Sequence, residues 1–225
     1  VFGRPRIFNN LLSSQPLCFN LFGELAENLD LATAVFRDVT AGRVERVSHI
    51  EFEYSPGRGD PVYTGDKSAA DVFVRFDTPD GGNGCLGIEV KYHEGLGDEA
   101  AEHRERYEEV ARQMGVFKPE RLQDLQRRPL QQIWRDHLLV GAVAAVDGYD
   151  DGLFVFLYPR NNTKCSAAVG HYQRCLSSPS GFAVWTLEDV VEAVRRHTDA
   201  AWIDAFYDRY LDLDRVEGLL GGSPR

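Results

Sequence analysis

The sequence predicts an α/β fold: a central mixed β-sheet flanked by helices, with C-terminal helical additions. Three observations predict it. Residues 70–94 read as two alternating strands around a Gly-rich turn, residues 152–159 form a continuous apolar run, and helical periodicity fills the segments around them. At 225 residues the chain suffices for one well-packed domain. No repeat, low-complexity tract or linker divides it, so a single domain over 1–225 is expected, with its core over about 13–160 and a helical extension over about 161–225.

The elements follow in order. Ser13 or Ser14 caps a helix over 13–38, with Pro16 in its first turn and Leu21, Phe22, Leu25 and Leu29 at helical spacing. Beyond Gly42, "RVERVSHIEFEY" (43–54) alternates imperfectly and reads as a strand with an irregularity. A loop over 55–68 leads to the hairpin, in which Val72, Val74 and Phe76 alternate, "PDGGNG" turns, and Leu86, Ile88 and Val90 alternate again. Residues 98–114 are charged and helical. A long helical region covers 119–146, with Pro129 opening its second part. "GLFVFLYP" is an apolar strand suited to the middle of a sheet. A helix near 162–176, a short strand "GFAVWTL", and helices near 187–197 and 199–213 complete the chain, the last capped by Asp199.

Composition excludes some functions. No apolar run reaches the roughly 20 residues that span a bilayer, and "VFGRPRIFNN" has no signal-peptide apolar region; opening on Val1, it reads as trimmed. A cytoplasmic location is expected. The net charge of −10 argues against coating nucleic acid by bulk electrostatics, but not against an enzyme whose carboxylates hold metal. Cys18, Cys85, Cys165 and Cys175 form no CxxC pair and read as reduced thiols; Cys165, His171 and Cys175 match no common zinc spacing. "PVYTGDKS" lacks P-loop spacing. Trp134, Trp185 and Trp202 are read as core.

The hairpin carries the chemistry. Burying both apolar rows on one face puts Asp71, Phe73 and Arg75 on the other, with Gly87, Glu89 and Lys91. Pairing Val72 with Val90 sets Asp71 opposite Lys91 and diagonal to Glu89. Two carboxylates beside a lysine suit a hard divalent ion that keeps waters and takes further ligands from phosphate. A cross-strand salt bridge on a wet face accounts for the same residues.

Asp71, then 18 positions to Glu89-Val90-Lys91, in a helix–strand–hairpin–helix–strand order, resembles the PD-(D/E)XK, restriction-endonuclease-like superfamily. "SAADVFVRF … GIEVKYHE" resembles more narrowly a bacterial branch assigned as nucleases. The resemblance covers roughly 13–160. It implies that Asp71 and Glu89 bind Mg²⁺ or Mn²⁺ with the Val90 carbonyl, and that Lys91 assists the attacking water. It also implies an acid on the first helix; Glu24 is the best match, an ordinary surface glutamate is the rival reading of it, and Glu27 is the fallback. The implied activity is phosphodiester hydrolysis, on DNA in preference to RNA, with no membrane partner and the oligomeric state open, a homodimer included. The alternative is a catalytically silent nuclease-fold module acting through protein contacts in a defence or nucleic-acid-processing complex.

The chain departs from the family pattern at Ala70, where a proline is common. Some members carry a Gln–Tyr pair on the helix after the lysine. Here Gln131 and Gln132 are followed by Arg135 and Asp136, and the glutamines are read as helix surface or substrate-adjacent groups. Asp77 and Asp80 fall at the far end of the hairpin, leaving Asp66 as the rival to Asp71. His93 and Glu94 are read equally as substrate contacts or loop polarity. A basic rim from Lys67, Arg75, Arg127 and Arg128 would favour a nucleic-acid substrate, and an acidic or occluded rim the interaction module.

Overall fold

The computed structural model describes residues 13–93, 96 and 102–212. Five strands stand side by side in chain order: β1 (Arg46–Tyr54), β2 (Ala70–Asp77), β3 (Asn83–Val90), β4 (Asp151–Tyr158) and β5 (Phe182–Thr186). The first three pair antiparallel, and β3–β4 and β4–β5 pair parallel. The mixed sheet follows from the connections: a short turn joins β2 to β3, whereas helical crossovers return the chain to the start of β4 and β5.

Helices cover both faces. On one lie α1 (Ser14–Glu27), α2 (Leu29–Val39), α7 (Leu187–His197) and α8 (Ala201–Tyr210), packing Leu21, Phe22, Phe36, Val190 and Phe206 against Val72, Val74, Ile88 and Val155. On the other lie α3 (Glu105–Met114), α4 (Leu122–Leu125), α5 (Leu130–Asp147) and α6 (Thr163–Arg174), with Trp134, Leu138, Val140 and Tyr172 against Phe73, Phe154 and Phe156. The predicted apolar face of the hairpin is the one that meets α1. Its other face is covered as well, including the end where the polar residues Glu89 and Lys91 are buried.

Several boundaries differ from the sequence expectation, each for a local reason. The helix expected over 13–38 breaks at Asn28, whose Oδ1 accepts the Leu31 N–H at 3.0 Å and caps a second helix. The region 119–146 opens its second part at Pro129 as expected, where α5 begins, but its first part is a 3₁₀ turn (Pro119–Arg121) and the short α4. Residues 102–104 precede α3 as non-helical chain, and 98–101 lie outside the described residues. Ala200, not Asp199, precedes α8. In the hairpin, Val72 pairs with Ile88 and Asp77 with Asn83. Asp71 therefore comes level with Glu89, not with Lys91. The turn closes more tightly than expected, with the Thr78 N–H on the Gly82 carbonyl at 3.0 Å and Gly81 at φ 85°. The slip is two residues, so every side chain keeps its predicted face.

Candidate active site

Asp71 opens β2 and Glu89 and Val90 close β3, so the two acids meet where the antiparallel ladder ends. Asp71 Oδ2 accepts the Val90 N–H at 2.7 Å; the Val90 carbonyl lies on the same strand edge. Lys91 continues the pairing to β4, its N–H on the Leu157 carbonyl at 2.8 Å. This fixes its side chain beside Glu89, where Nζ donates to Oε1 at 2.7 Å. Glu89 and Lys91 are only 6% and 9% exposed. The reading of a cross-strand Asp71–Lys91 bridge on a wet face is corrected: Lys91 pairs with Glu89 on its own strand, and both are buried.

The third wall is α5. Gly87 lets it approach, since a Cβ there would lie 2.4 Å from Val140 Cγ2. Gln132 in its first turns donates from Nε2 to Glu89 Oε1 at 2.7 Å. Of the two readings of this residue, helix surface is corrected: it abuts the Glu89 carboxylate. One turn on, Asp136 is buried and its Oδ2 has no hydrogen-bond partner. Gln131 is buried too.

Electrostatics set this end of the sheet apart. Burial and then the Glu89 charge push the Asp71 carboxyl well above the usual range, against the Val90 N–H and Lys91. Asp136 is likewise pushed up, by burial and then by Glu89. Burial alone would lower the Lys91 ammonium, but Glu89 and Asp71 outweigh it and hold it charged.

The remaining expected residues fall elsewhere. Asp66 is committed to the loop before β2. It accepts from Tyr107 Oη at 2.6 Å, Ser68 Oγ and Thr64 Oγ1 at 2.8 Å, and Arg135 Nη2 at 2.9 Å. Burial opposes its ionisation, yet these hydrogen bonds bring its pKa down to about 2. Glu24 is exposed on α1 and lines a surface cleft with Trp202, Arg209 and Tyr210; Glu27 is exposed too. The charge of a different acid, Glu53, bears on Asp71. Glu53 sits in β1 between the pairs Phe52–Val72 and Tyr54–Ala70, at φ 52°, an uncommon conformation for a residue with a side chain.

Arg75 lies four residues along β2 from Asp71, held by Tyr149 Oη at 3.0 Å and Glu51 at 3.2 Å. Lys67 is exposed, and Arg127 and Arg128 line a separate cleft. The basic rim that would favour a nucleic-acid substrate is not assembled from these four residues. His93 is exposed and meets Tyr92 edge-on, and Glu94 lies outside the described residues.

Sequence reasoning missed Asp136 and Glu53. The signal for Asp136 was present: Gln132 and Asp136 are polar residues four apart in a helix whose Ile133, Trp134 and Leu138 are buried. Glu53 had no such signal, because its backbone conformation is not legible in "EFEY".

Among the described residues, no three His, Cys, Asp or Glu side chains converge as a ready-made metal cage. The donor chemistry nevertheless fits a hard divalent cation that keeps several waters. Asp71 is held beside Glu89 where burial and that neighbour's charge disfavour its own ionisation, and a cation between oxygen donors relieves that conflict.

A family model described as PD-(D/E)XK nuclease superfamily matches residues 1–212. No curated protein matches the chain.

Proposed function

This chain belongs to the PD-(D/E)XK nuclease superfamily, and from that premise we propose that it is a metal-dependent nuclease hydrolysing phosphodiester bonds, with DNA as the expected substrate. The observation that carries the proposal is half-buried Asp71 set beside buried Glu89 at the end of the β2–β3 ladder, with the Lys91 ammonium 2.7 Å from Glu89. Asp71, Glu89 and the Val90 carbonyl are the groups that would hold Mg²⁺ or Mn²⁺. Such an ion supplies Lewis acidity and a more acidic bound water.

The chain's own residues do the rest. Lys91, charged and nearly dry, offers an ammonium to a phosphoryl oxygen on which negative charge develops. Gln132 donates to the same Glu89 Oε1 that Lys91 holds, so that carboxylate is oriented before substrate arrives. The Val90 N–H holds the Asp71 carboxylate by its Oδ2 and leaves Oδ1 for other partners. Burial against α5 restricts bulk water, which strengthens each of these interactions.

The test is cleavage of single- and double-stranded DNA and RNA by the wild type, Glu89→Ala and Lys91→Ala proteins, with Mg²⁺, with Mn²⁺ and with chelator. Metal-dependent cleavage lost in both variants is the expected result. Cleavage retained in both, or absent from the wild type on all four substrates, would favour the non-catalytic module.

A further inference from the structure

A second feature stands apart from the acid cluster. The chain carries 35 Asp and Glu against 25 Lys and Arg, yet one cleft of about 360 Å³ is lined by Arg121, Arg127, Arg128, Arg174 and His171, with Asp124 the acid among its lining residues. Three elements build it: α4 and the turn after it, the start of α5 at Pro129 and Leu130, and the end of α6. Asp124 is matched by Arg121 at 3.1 Å. Arg127, Arg128 and Arg174 make no side-chain ion pair or hydrogen bond with another described residue. Elsewhere arginines such as Arg46, Arg135 and Arg160 are ion-paired. Lys118 adds a further cation, its Nζ on the Arg174 carbonyl at 2.9 Å.

Gathering unpaired guanidinium groups costs mutual repulsion, and anions relieve it. Arginine forks match phosphate oxygens in pairs, which lysine does not do. The start of α5 faces the same cleft; its Leu130 and Gln131 N–H groups donate to the Arg127 carbonyl at 2.9 Å, so the helix adds only its positive dipole end to the field. The cations are spread over an open mouth, Arg121 being 56% exposed, rather than closed around one small anion. That distribution suits successive phosphates of a chain. Leu130 in this cleft is two residues from Gln132, so one rigid helix serves both the cleft and the acid centre.

We propose that this cleft is a second binding site that holds the phosphate backbone of nucleic acid away from the bond being cut. The inference rests on the reading of the chain as a nuclease and adds the place where the substrate is gripped.

The test is fluorescence anisotropy with a labelled DNA duplex in chelator, where no turnover occurs, repeated across a salt series. An Arg127→Ala/Arg128→Ala/Arg174→Ala variant is expected to bind about tenfold more weakly or worse. The slope of log affinity against log salt should fall by about 0.9 for each phosphate the variant no longer neutralises. The corresponding triple Lys variant should recover most of the affinity. Unchanged affinity and slope in the alanine variant would overturn the proposal. So would a wild type that binds inorganic phosphate in the cleft but no duplex, which would make it a site for small phosphates. Binding is read without cleavage, so an inactive but binding wild type counts against the nuclease reading and leaves the cleft as a phosphate-backbone site without a bond being cut beside it.

Discussion

Glu89 accepts from both Lys91 Nζ and Gln132 Nε2 at 2.7 Å, so one carboxylate oxygen organises the centre. Replacing Lys91 by Ala removes the ammonium and is expected to lower kcat about 10²–10³-fold, read in single-turnover cleavage, with the fold intact by circular dichroism. Asp71 gives the opposite balance between stability and activity. Its carboxyl is disfavoured by burial and by Glu89, whereas an amide can still accept the Val90 N–H. Asp71→Asn is therefore expected to be more stable than the wild type in chelator, read as a higher melting temperature, while losing metal-dependent activity. A lower melting temperature for the variant would show that the two acids are not in conflict.

At the scale of elements, the hairpin and α5 together make the site, and Gly87 sets their separation. A Cβ at Gly87 meets Val140, so Gly87→Ala should push α5 outward and cost about 1–3 kcal/mol. It should also weaken cleavage by loosening Gln132 from Glu89. Pairing it with Val140→Ala should restore much of both, measured by denaturant melts and cleavage rates. The hairpin was legible because Val72, Val74, Phe76, Leu86, Ile88 and Val90 can be buried together in only one way. That rule fixes the face but not the slip along the strand, since a two-residue shift preserves it. Asp71 thus came out opposite Lys91 in expectation and level with Glu89 in fact. The break at Asn28 was hidden for a related reason, since helical periodicity continues across a cap, whereas Pro129 marked the start of α5. The spacing of Gln132 and Asp136 marks one polar stripe on α5, but that the stripe meets Glu89 depends on the crossing of α5 over β3, a tertiary relation that local spacing does not contain.

For the whole molecule, acid stability tests how the two layers are packed. His137 is fully enclosed between α5, α6 and β5, near Tyr172 and Phe182; burial brings its pKa down from 6.5 to about 3. The unfolded chain binds a proton near pH 6.5 that the folded protein refuses until about pH 3. Its contribution to stability is thus full above pH 6.5 and is lost as pH falls through that window, on the order of a few kcal/mol. Asp71 and Asp136, held high, work in the other direction. A His137→Phe/Tyr172→Phe variant isolates the histidine: its stability should fall less than that of the wild type between pH 7 and pH 4 in denaturant melts. Equal slopes would mean that His137 takes up its proton without unfolding.

The central claim is that Asp71 and Glu89 form a divalent-cation site. Its most direct test is calorimetric titration of Mn²⁺ into the wild type and a Glu89→Gln variant. Glutamine keeps the side-chain shape and an acceptor for Lys91 while removing the charge. Saturable binding by the wild type that the variant loses is the predicted result. Equal binding by both, or none by either with and without nucleic acid, would contradict it.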